Sequence, residues 1–388
     1  MTDDLLRYRD QFPILESTTY MISNSLGAMP RAVYDSAREY CDVWAGRGVR
    51  AWEENWWELS REVGDEVGAI MNAPGGSVSI HQNVTICEAV VASCFDFSGR
   101  RNKVVYSDMN FPSIMYFWEA QRERGARVHM VKTEDGIHVP TEKMLEAIDE
   151  ETLLVPISHV VFRSAYIKDA KAIIEKAHRV GAYVILDCFQ SLGCVPVDVQ
   201  ALNPDFATGG VLKWLCGGPG TSYLYVRPDL GKKLEPKLTG WFAHEHPFDF
   251  EIGSTHYAEP PYRFMQGTAN IPALYTALPG LKIIREAGLE RIRTKSMKMT
   301  AKLIELADKR GWKVNAPRDP ERRGGTVAID MPNSREVCRE LLKRDVLVDY
   351  RPKAGVRFSP HFYNNMEEIE RAVQTVDAVL AEMGVATH

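Results

Sequence analysis

The sequence predicts an α/β protein with a mainly parallel sheet, followed by a smaller α+β domain at the C-terminus. Between residues 77 and 226, short apolar runs alternate with helical segments at the spacing of βα units. Strands that alternate with helices form parallel sheets that are covered on both faces. After Gly311 the strict alternation ends, and short strands and helices follow in mixed order. The length of 388 residues allows one large core and a second, smaller one.

Three regions are expected along the chain. An N-terminal segment, residues 1–30, is expected to be irregular and to pack on the small domain or at its interface. Residues 31–285 form the large domain, which begins with helices over Arg31–Trp44 and Trp52–Met71. Residues 286–388 form the small C-terminal domain. The second helix carries a tryptophan cluster, for which helix packing is the simpler interpretation and a rim around a ligand is the alternative.

The alternating pattern predicts seven strands in the large domain and four helices between them. The strands are Val78–Ile80, Lys103–Ser107, Arg127–Val131, Leu153–Ser158, Ala182–Leu186, Asp205–Thr208 and Ser222–Val226. The helices are Ile86–Phe95, Ile114–Arg124, Thr141–Ile148 and Lys168–Val180, and two more, Pro272–Ala287 and Leu289–Lys309, lead to the small domain. The small domain is expected to contain Thr326–Asp330, Leu347–Tyr350 and Gly355–Ser359 as strands and Ser334–Arg344 and Met366–Met383 as helices.

Composition excludes several classes of protein. The net charge of −5 gives no basic field, which argues against nucleic-acid binding. No apolar run approaches the roughly 20 residues that cross a bilayer, and the acidic N-terminus is not typical of a secretory signal. The seven cysteines form no CxxC pair, so we expect reduced thiols in a cytoplasmic protein. His244 and His246 alone are a weak metal signal, and no metal site is predicted.

Two ionisable residues of opposite sign stand where predicted buried strands end. Asp187 closes the apolar run Ala182–Leu186, and Lys213 follows the next run through Gly209 and Gly210. Ligands of open α/β sheets bind at the carboxyl ends of the strands. Taken alone, Asp187 could equally cap a following helix, and Lys213 could lie on the surface of a glycine-rich turn. The apolar residues that flank Lys213 favour a buried position.

The two residues together match what pyridoxal 5'-phosphate needs, a lysine that forms a Schiff base and an acid that faces the ring nitrogen. A buried carboxylate keeps a pyridinium charged. Three further elements complete the set: a helix start at Asn83-Val84-Thr85 for the phosphate, Phe111 for stacking on the ring, and Gln190 for the ring hydroxyl. Each has a plain structural alternative, and it is their order along the chain that favours the cofactor.

Seven segments carry a resemblance to a known family. The chain is similar to the class V aminotransferase superfamily of pyridoxal phosphate enzymes, fold type I, and within it resembles kynureninase most. In that fold, a large domain contains a mainly parallel sheet of the seven-stranded type, and a small α+β domain follows it. The segments are Tyr20–Gly27 (YMISNSLG), Arg50–Trp52 with Trp57, Asn110–Ser113 (NFPS), His159–Ser164 (HVVFRS), Lys213–Gly220 (KWLCGGPG), Gly240–His244 (GWFAH), and Arg357-Phe358 with Phe362–Asn364.

The resemblance implies further roles. Lys213 would be the catalytic lysine, and Asn24 and Arg357 would bind the substrate, with Arg357 on its α-carboxylate. A surface ion pair is the alternative for Arg357. Trp241 would line the cofactor region, and Thr268 would reach the phosphate of the other subunit. The active site would therefore lie at the interface of a homodimer that acts on an amino acid.

Three positions depart from the kynureninase pattern. Leu212 stands where kynureninases have a tyrosine, Ile114 replaces an aspartate, and Gln190 stands where a histidine is usual. The first hypothesis is a kynureninase-like enzyme that breaks a Cβ–Cγ bond by hydrolysis or performs a related β-elimination. The alternatives are a class V aminotransferase, an epimerase, a C–S or C–Se lyase, and a non-catalytic binding protein of the same fold. Cys338, inside a predicted helix, is a poor candidate for the nucleophile of a desulfurase.

Overall fold

The computed structural model describes residues 3–253 and 255–385. Its strands are numbered here in chain order. They are β1 Thr19–Tyr20, β2 Val78–His81, β3 Lys103–Ser107, β4 Arg127–Val131, β5 Thr152–Ser158, β6 Tyr183–Asp187, β7 Phe206–Gly210, β8 Ser222–Val226, β9 Lys313–Val314, β10 Val327–Asp330, β11 Val346–Leu347, β12 Asp349–Arg351 and β13 Gly355–Phe358.

Twelve α-helices are found in the part of the chain that the structure describes. They are α1 Val33–Arg47, α2 Trp57–Ile70, α3 Val84–Ser93, α4 Pro112–Ala120, α5 Thr141–Ala147, α6 Ala170–Arg179, α7 Val199–Leu202, α8 Pro228–Gly231, α9 Ile271–Ala287, α10 Leu289–Asp308, α11 Ser334–Lys343 and α12 Met366–Glu382.

A seven-stranded sheet in the order β2-β8-β7-β6-β5-β3-β4 forms the centre of the large part of the chain. The pairings from β7 to β4 are parallel, and only β8 runs antiparallel to its two neighbours. Strands β5, β6 and β7 are buried almost throughout, as their apolar sequences require when helices cover both faces. The predicted α/β fold with a mainly parallel sheet is confirmed.

Side-chain caps explain two differences between predicted and observed helix limits. Helix α3 begins at Val84 because the Asn83 side chain accepts a hydrogen bond of 3.1 Å from the Ile86 amide. Helix α6 begins at Ala170 because the Asp169 side chain accepts one of 3.0 Å from the Ala172 amide. The prediction that this helix begins at Lys168 is therefore wrong, and Lys168 lies in the connection before it.

The C-terminal part of the chain has its own antiparallel sheet in the order β12-β13-β10-β9. Helices α10, α11 and α12 cover it, and their apolar side chains share a separate core with the strands. The single strand predicted over Leu347–Tyr350 is divided, because β11 pairs with β1 while β12 pairs with β13. The α+β pattern expected from the sequence is otherwise present.

The N-terminal segment is more regular than predicted. Two 3-10 helices, Asp4–Gln11 and Pro13–Glu16, precede β1. Strand β1 runs parallel to β11, and Ile22 forms a bridge with Ser359. These contacts attach the segment to the C-terminal strands, while the boundaries at residues 30 and 285 stay predictions.

Within residues 3–253 and 255–385, every helix is too short or too polar to span a bilayer. Cys87, Cys188, Cys194, Cys216 and Cys338 are buried thiols, and Cys41 is exposed. The cytoplasmic location stays a prediction.

Candidate active site

A cavity of about 200 Å³ lies at the carboxyl ends of the parallel strands. Strand β5 contributes Ser158, and β6 contributes Asp187, which pairs in register with Ser158. The segment after β7 contributes Lys213, the βα turns supply the other walls, and most of the lining is apolar. The lining residues are Val84, Phe111, Ile114, Ser158, Val160, Phe162, Asp187, Phe189, Gln190, Leu212 and Lys213.

Asp187 is 5% exposed, and two hydrogen bonds fix its carboxylate. Its carboxylate accepts hydrogen bonds from the Ser158 hydroxyl at 3.0 Å and from the Phe189 amide at 2.9 Å. Burial raises the pKa of the Asp187 carboxyl, and these two bonds and the charges of Lys213 and Lys168 oppose that rise. A carboxylate in this setting gains most when a cation or an N–H donor is placed against it.

Lys213 lies in the cavity, and its Nζ is 4.4 Å from the ring centre of Phe189 and 5.4 Å from that of Phe111. Burial lowers the pKa of Lys213 to about 8, and the nearby charge of Asp187 opposes the shift. The neutral amine is the nucleophilic form, so this environment increases its population near neutral pH. An ordinary surface lysine, the alternative kept open above, does not have this setting.

Two aromatic rings flank the amine. Phe111 is the residue before α4, is 40% exposed, and meets the Phe162 ring edge to face at 5.3 Å. Phe189 was not predicted from the sequence, although it stands in the same turn as Asp187 and Gln190. Its ring occupies the space beside Gly210, where a Cβ would lie 2.4 Å from the ring. Gly210 lies within β7 rather than in a turn, and the Phe189 ring packed against it leaves no space for a side chain.

Gln190 connects the cavity to the N-terminal segment. Its Nε2 donates to the Asn24 carbonyl at 2.9 Å, and its Oε1 accepts from the Trp214 indole at 3.1 Å. Asn24 is 1% exposed, and both polar atoms of its side chain are buried without a hydrogen-bond partner. Buried amide atoms are rarely left unpaired in a native protein, so Asn24 is a group that a bound molecule would satisfy.

The first turn of α3 faces the same cavity. Val84 lines it, while Asn83 and Thr85 are exposed at the helix start. Because the Asn83 Oδ1 already caps the Ile86 amide, its remaining capacity toward a phosphate is its Nδ2 group. The helix N-terminus adds a favourable dipole for an anion.

Arg357 is 2% exposed, so the alternative of a surface ion pair is wrong. Its Nε and Nη2 donate to the Asp349 carboxylate at 2.7 and 2.5 Å, and its Nη1 donates to the Phe162 carbonyl at 2.5 Å. Arg351 also lies 3.1 Å from Asp349. The guanidinium is therefore close to a cavity wall, and its fork is occupied by a carboxylate of the chain itself.

Six of the predicted site residues do not line this cavity. Asn24, Asn83, Thr85 and Arg357 adjoin residues of its wall, whereas Trp241 and Thr268 do not. Trp241 is 37% exposed and packs edge to face against Trp57, with ring centres 5.4 Å apart. Thr268 lies on the exposed loop before α9. The resemblance assigned Trp241 to the cofactor region and Thr268 to the phosphate of the other subunit, and both roles stay predictions.

All three positions that depart from the kynureninase pattern line the cavity. Leu212 and Ile114 make its wall apolar where a phenol and a carboxylate would stand, and Gln190 contributes an amide. The ionisable side chains among the lining residues are Asp187 and Lys213.

These features fit pyridoxal 5'-phosphate. An amine with a lowered pKa lies near a buried carboxylate, two aromatic rings flank the amine, and a helix N-terminus opens beside them. The unpaired amide of Asn24 adds a polar group that lacks a partner. The fold and the site together define a pyridoxal phosphate enzyme of fold type I.

Comparisons with known proteins agree with this class. A sequence model described as aminotransferase class-V matches residues 19–372. An uncharacterized aminotransferase of Bacillus subtilis (strain 168), YcbU, is 32% identical over 372 residues, which cover 96% of this chain and 97% of that protein. The chain therefore belongs to the aminotransferase class-V family, and its cofactor is pyridoxal 5'-phosphate.

Two other similar proteins carry different activities in their names. Kynureninase of Pseudomonas fluorescens is 29% identical over 394 residues, covering 97% of this chain and 93% of that protein. The solved structure of a cysteine desulfurase from Thermococcus onnurineus NA1 superposes with a TM-score of 0.86 at 22% identity, covering 97% of this chain and 98% of that one. The latter likeness shows the shared fold.

Proposed function

We propose that this enzyme is an aminotransferase that acts on an α-amino acid with an apolar or aromatic side chain. The observation that carries the proposal is the make-up of the cavity, in which Lys213 is the one lining amine and Asp187 the one lining carboxylate. Transamination needs one base that removes a proton from the substrate Cα and returns a proton at a nearby carbon. Lys213 can perform both transfers.

The lining residues divide into cofactor and substrate groups in this proposal. Asp187 would face the ring nitrogen, Phe111 would stack on the ring, and the start of α3 would hold the phosphate. The bound cofactor supplies the electron sink that weakens the bonds at Cα. Leu212 and Phe162 remain for the substrate side chain, and apolar walls favour an apolar group.

The α-carboxylate of the substrate is assigned to Arg357. Its guanidinium is buried, positively charged and fixed by Asp349. A carboxylate that arrives must share the fork with Asp349 or displace it. Asp349 therefore limits the affinity that Arg357 alone would give, and Asn24 supplies unpaired amide atoms for a second contact.

We also propose a homodimer. Helix α1 has no buried residue although it is 15 residues long, and it exposes aromatic side chains including Tyr34 at 61% and Trp44 at 60%. Exposed aromatic faces of this kind are typical of subunit interfaces. Light scattering should give twice the chain mass of 43.8 kDa. A Trp44→Glu variant that keeps the same mass as the wild type would contradict the use of this face.

Kynurenine hydrolysis is the second candidate, because the kynureninase relatives match nearly the whole chain. That reaction needs an acid or base beyond the lysine for the later proton transfers. Leu212 offers none at the position where those enzymes have a tyrosine. The hydrolysis predicted first from the sequence therefore ranks below transamination.

A coupled assay separates the two candidates. Purified holoenzyme is incubated with L-phenylalanine, L-leucine or L-kynurenine, each with pyruvate as amino acceptor, and alanine, oxo acid and anthranilate are measured. We expect pyruvate to be converted to alanine while the added amino-acid donor is converted to its oxo acid. Anthranilate with alanine, without consumption of pyruvate, would overturn the proposal in favour of hydrolysis. Lys213→Ala is the control, and it should abolish both reactions.

A further inference from the structure

A second lysine, which is buried, lies next to the site. Lys168 is 4% exposed and stands in the connection between β5 and α6. Its backbone amide donates to the His159 carbonyl at 2.9 Å, and the His159 amide donates to the Asp187 carbonyl at 2.9 Å. The main chain of Lys168 is thereby linked through one residue to the end of β6.

The ammonium group of Lys168 reaches across to the end of β3. Its Nζ donates to the Ser107 hydroxyl at 2.7 Å and lies 3.5 Å from Asn110 Oδ1. The Ser107 hydroxyl in turn donates to Asn110 Oδ1 at 3.1 Å, and Asn110 Nδ2 donates to the Pro156 carbonyl at 2.9 Å. Asn110 immediately precedes Phe111, so this network holds the turn from which the Phe111 side chain projects.

Burying this charge is costly, and the immediate neighbours do not neutralise it. Among the residues that the structure describes, no carboxylate oxygen lies within 4.0 Å of Lys168 Nζ. A buried ammonium without an ion pair costs several kcal/mol of stability. An apolar side chain could fill the same space without that cost, so the charge itself has a use.

The charge of Lys168 acts on the carboxylates around it. Asp187 and Asp108 act on it electrostatically, and burial still lowers the pKa of Lys168 to about 8. In return, the Lys168 charge opposes the rise in the pKa of Asp187. Burial, and in addition the charge of Asp187, raises the pKa of its neighbours Glu88, Cys188 and Tyr223. Besides Asp187, the charged groups that act on Lys213 are Arg357, Asp349 and Arg351.

We infer that Lys168 is a positioning residue for the cofactor. Its ammonium holds the turn between Ser107 and Asn110 so that Phe111 faces the ring, and its charge keeps Asp187 ionised against the ring nitrogen. The inference rests on the cofactor roles proposed above for Asp187 and Phe111. It assigns to Lys168 no contact with the substrate or the cofactor.

The test compares wild type, Lys168→Met, Lys168→Arg and Ser107→Ala, with Lys171→Met as the matched control on the exposed face of α6. The readouts are the dissociation constant of pyridoxal 5'-phosphate by equilibrium dialysis and the pH midpoint of the visible absorption of the holoenzyme. Thermal melting of the apoprotein reports on folding.

Lys168→Met should weaken cofactor binding at least tenfold and raise the pH midpoint by about one unit, because a lost positive charge favours protonation nearby. Lys168→Arg keeps the charge and should keep the midpoint. Ser107→Ala removes the hydrogen bonds from Lys168 and to Asn110 but not the charge, so affinity should fall about threefold to tenfold with the midpoint unchanged. Lys171→Met should match the wild type in both.

If the wild type binds no pyridoxal 5'-phosphate, the assignment of the cofactor site itself fails, and the inference about Lys168 fails with it. If wild type binds and Lys168→Met matches it in affinity and midpoint, the role of Lys168 is refuted while the cofactor site stands. If Lys168→Met does not fold, Ser107→Ala and Lys168→Arg decide. Wild-type affinity in Ser107→Ala, or a shifted midpoint in Lys168→Arg, would then overturn the inference.

Discussion

Replacing Gly27 by alanine should damage the site without touching any group that performs chemistry. The Gly27 amide donates to the Leu212 carbonyl at 2.8 Å, so the N-terminal turn lies directly against the lysine segment. A Cβ on Gly27 would lie 2.1 Å from the Lys213 carbonyl oxygen and 3.0 Å from the Cys216 Cα. Ordinary contact begins at 3.4 Å, so the two backbones must separate by more than 1 Å.

The size of the effect follows from what can move. The two nearest atoms belong to the backbone, so rotation of the Cys216 side chain, whose Sγ would lie at 3.1 Å, cannot relieve the clash. Overpacking of this kind costs about 1–3 kcal/mol, and loss of the Gly27 hydrogen bond adds about 1 kcal/mol. We therefore expect Gly27→Ala to lower the free energy of unfolding by about 3 kcal/mol and to weaken cofactor binding at least tenfold.

Urea unfolding of the apoprotein and equilibrium dialysis with pyridoxal 5'-phosphate measure the two quantities. Gly99→Ala is the matched control, because Gly99 is exposed and has no heavy atom within 4 Å of an added Cβ. Its stability should be unchanged or rise by up to about 1 kcal/mol. If Gly27→Ala behaves like Gly99→Ala in both measurements, the close packing of the turn on Lys213 has no energetic importance.

Three further predictions follow from the site. The rate at which apoprotein takes up pyridoxal 5'-phosphate should rise with pH and level off above pH 8, because the neutral form of Lys213, whose pKa is about 8, is the reactive one. A rate that keeps rising to pH 10 would show an ordinary lysine. Asp349→Asn should cost about 3 kcal/mol of unfolding free energy, because Arg357 loses the carboxylate that pairs with it. The double variant Asp349→Leu with Arg357→Met should recover most of that loss, and urea denaturation measures the free energy of unfolding of both variants. If the missing tyrosine at position 212 is all that prevents kynurenine hydrolysis, Leu212→Tyr should raise anthranilate release from L-kynurenine at least tenfold. An unchanged rate would show that the missing tyrosine is not the cause.

The order of strands and helices was readable from the chain because each buried strand of the sheet is a continuous apolar run. Strands β5 and β6 are examples, since burial on both faces leaves little room for polar residues. Helix starts were less certain. Asn83 and Asp169 shift the starts of α3 and α6 through single side-chain hydrogen bonds, and a pattern of apolar residues does not register such bonds.

The N-terminal segment was the largest difference from the predicted fold. The sequence predicts an irregular segment there because β1 is only two residues long and pairs with a strand more than 300 positions away. Such pairing depends on the position of the partner strand in space. The same cause hid Phe189, whose packing against Gly210 depends on the register between β6 and β7.

The sequence by itself determined the class of this protein, because the strand pattern and the residues Asp187 and Lys213 follow from local order along the chain. The tertiary structure decided which of the proposed residues meet in one cavity and which do not, because those distances depend on how the loops at the strand ends pack. It also decided the electrostatic surroundings of the site. Lys168 and Asp349 carry no local signal, and their charges matter only where folding has brought them beside Asp187 and Arg357.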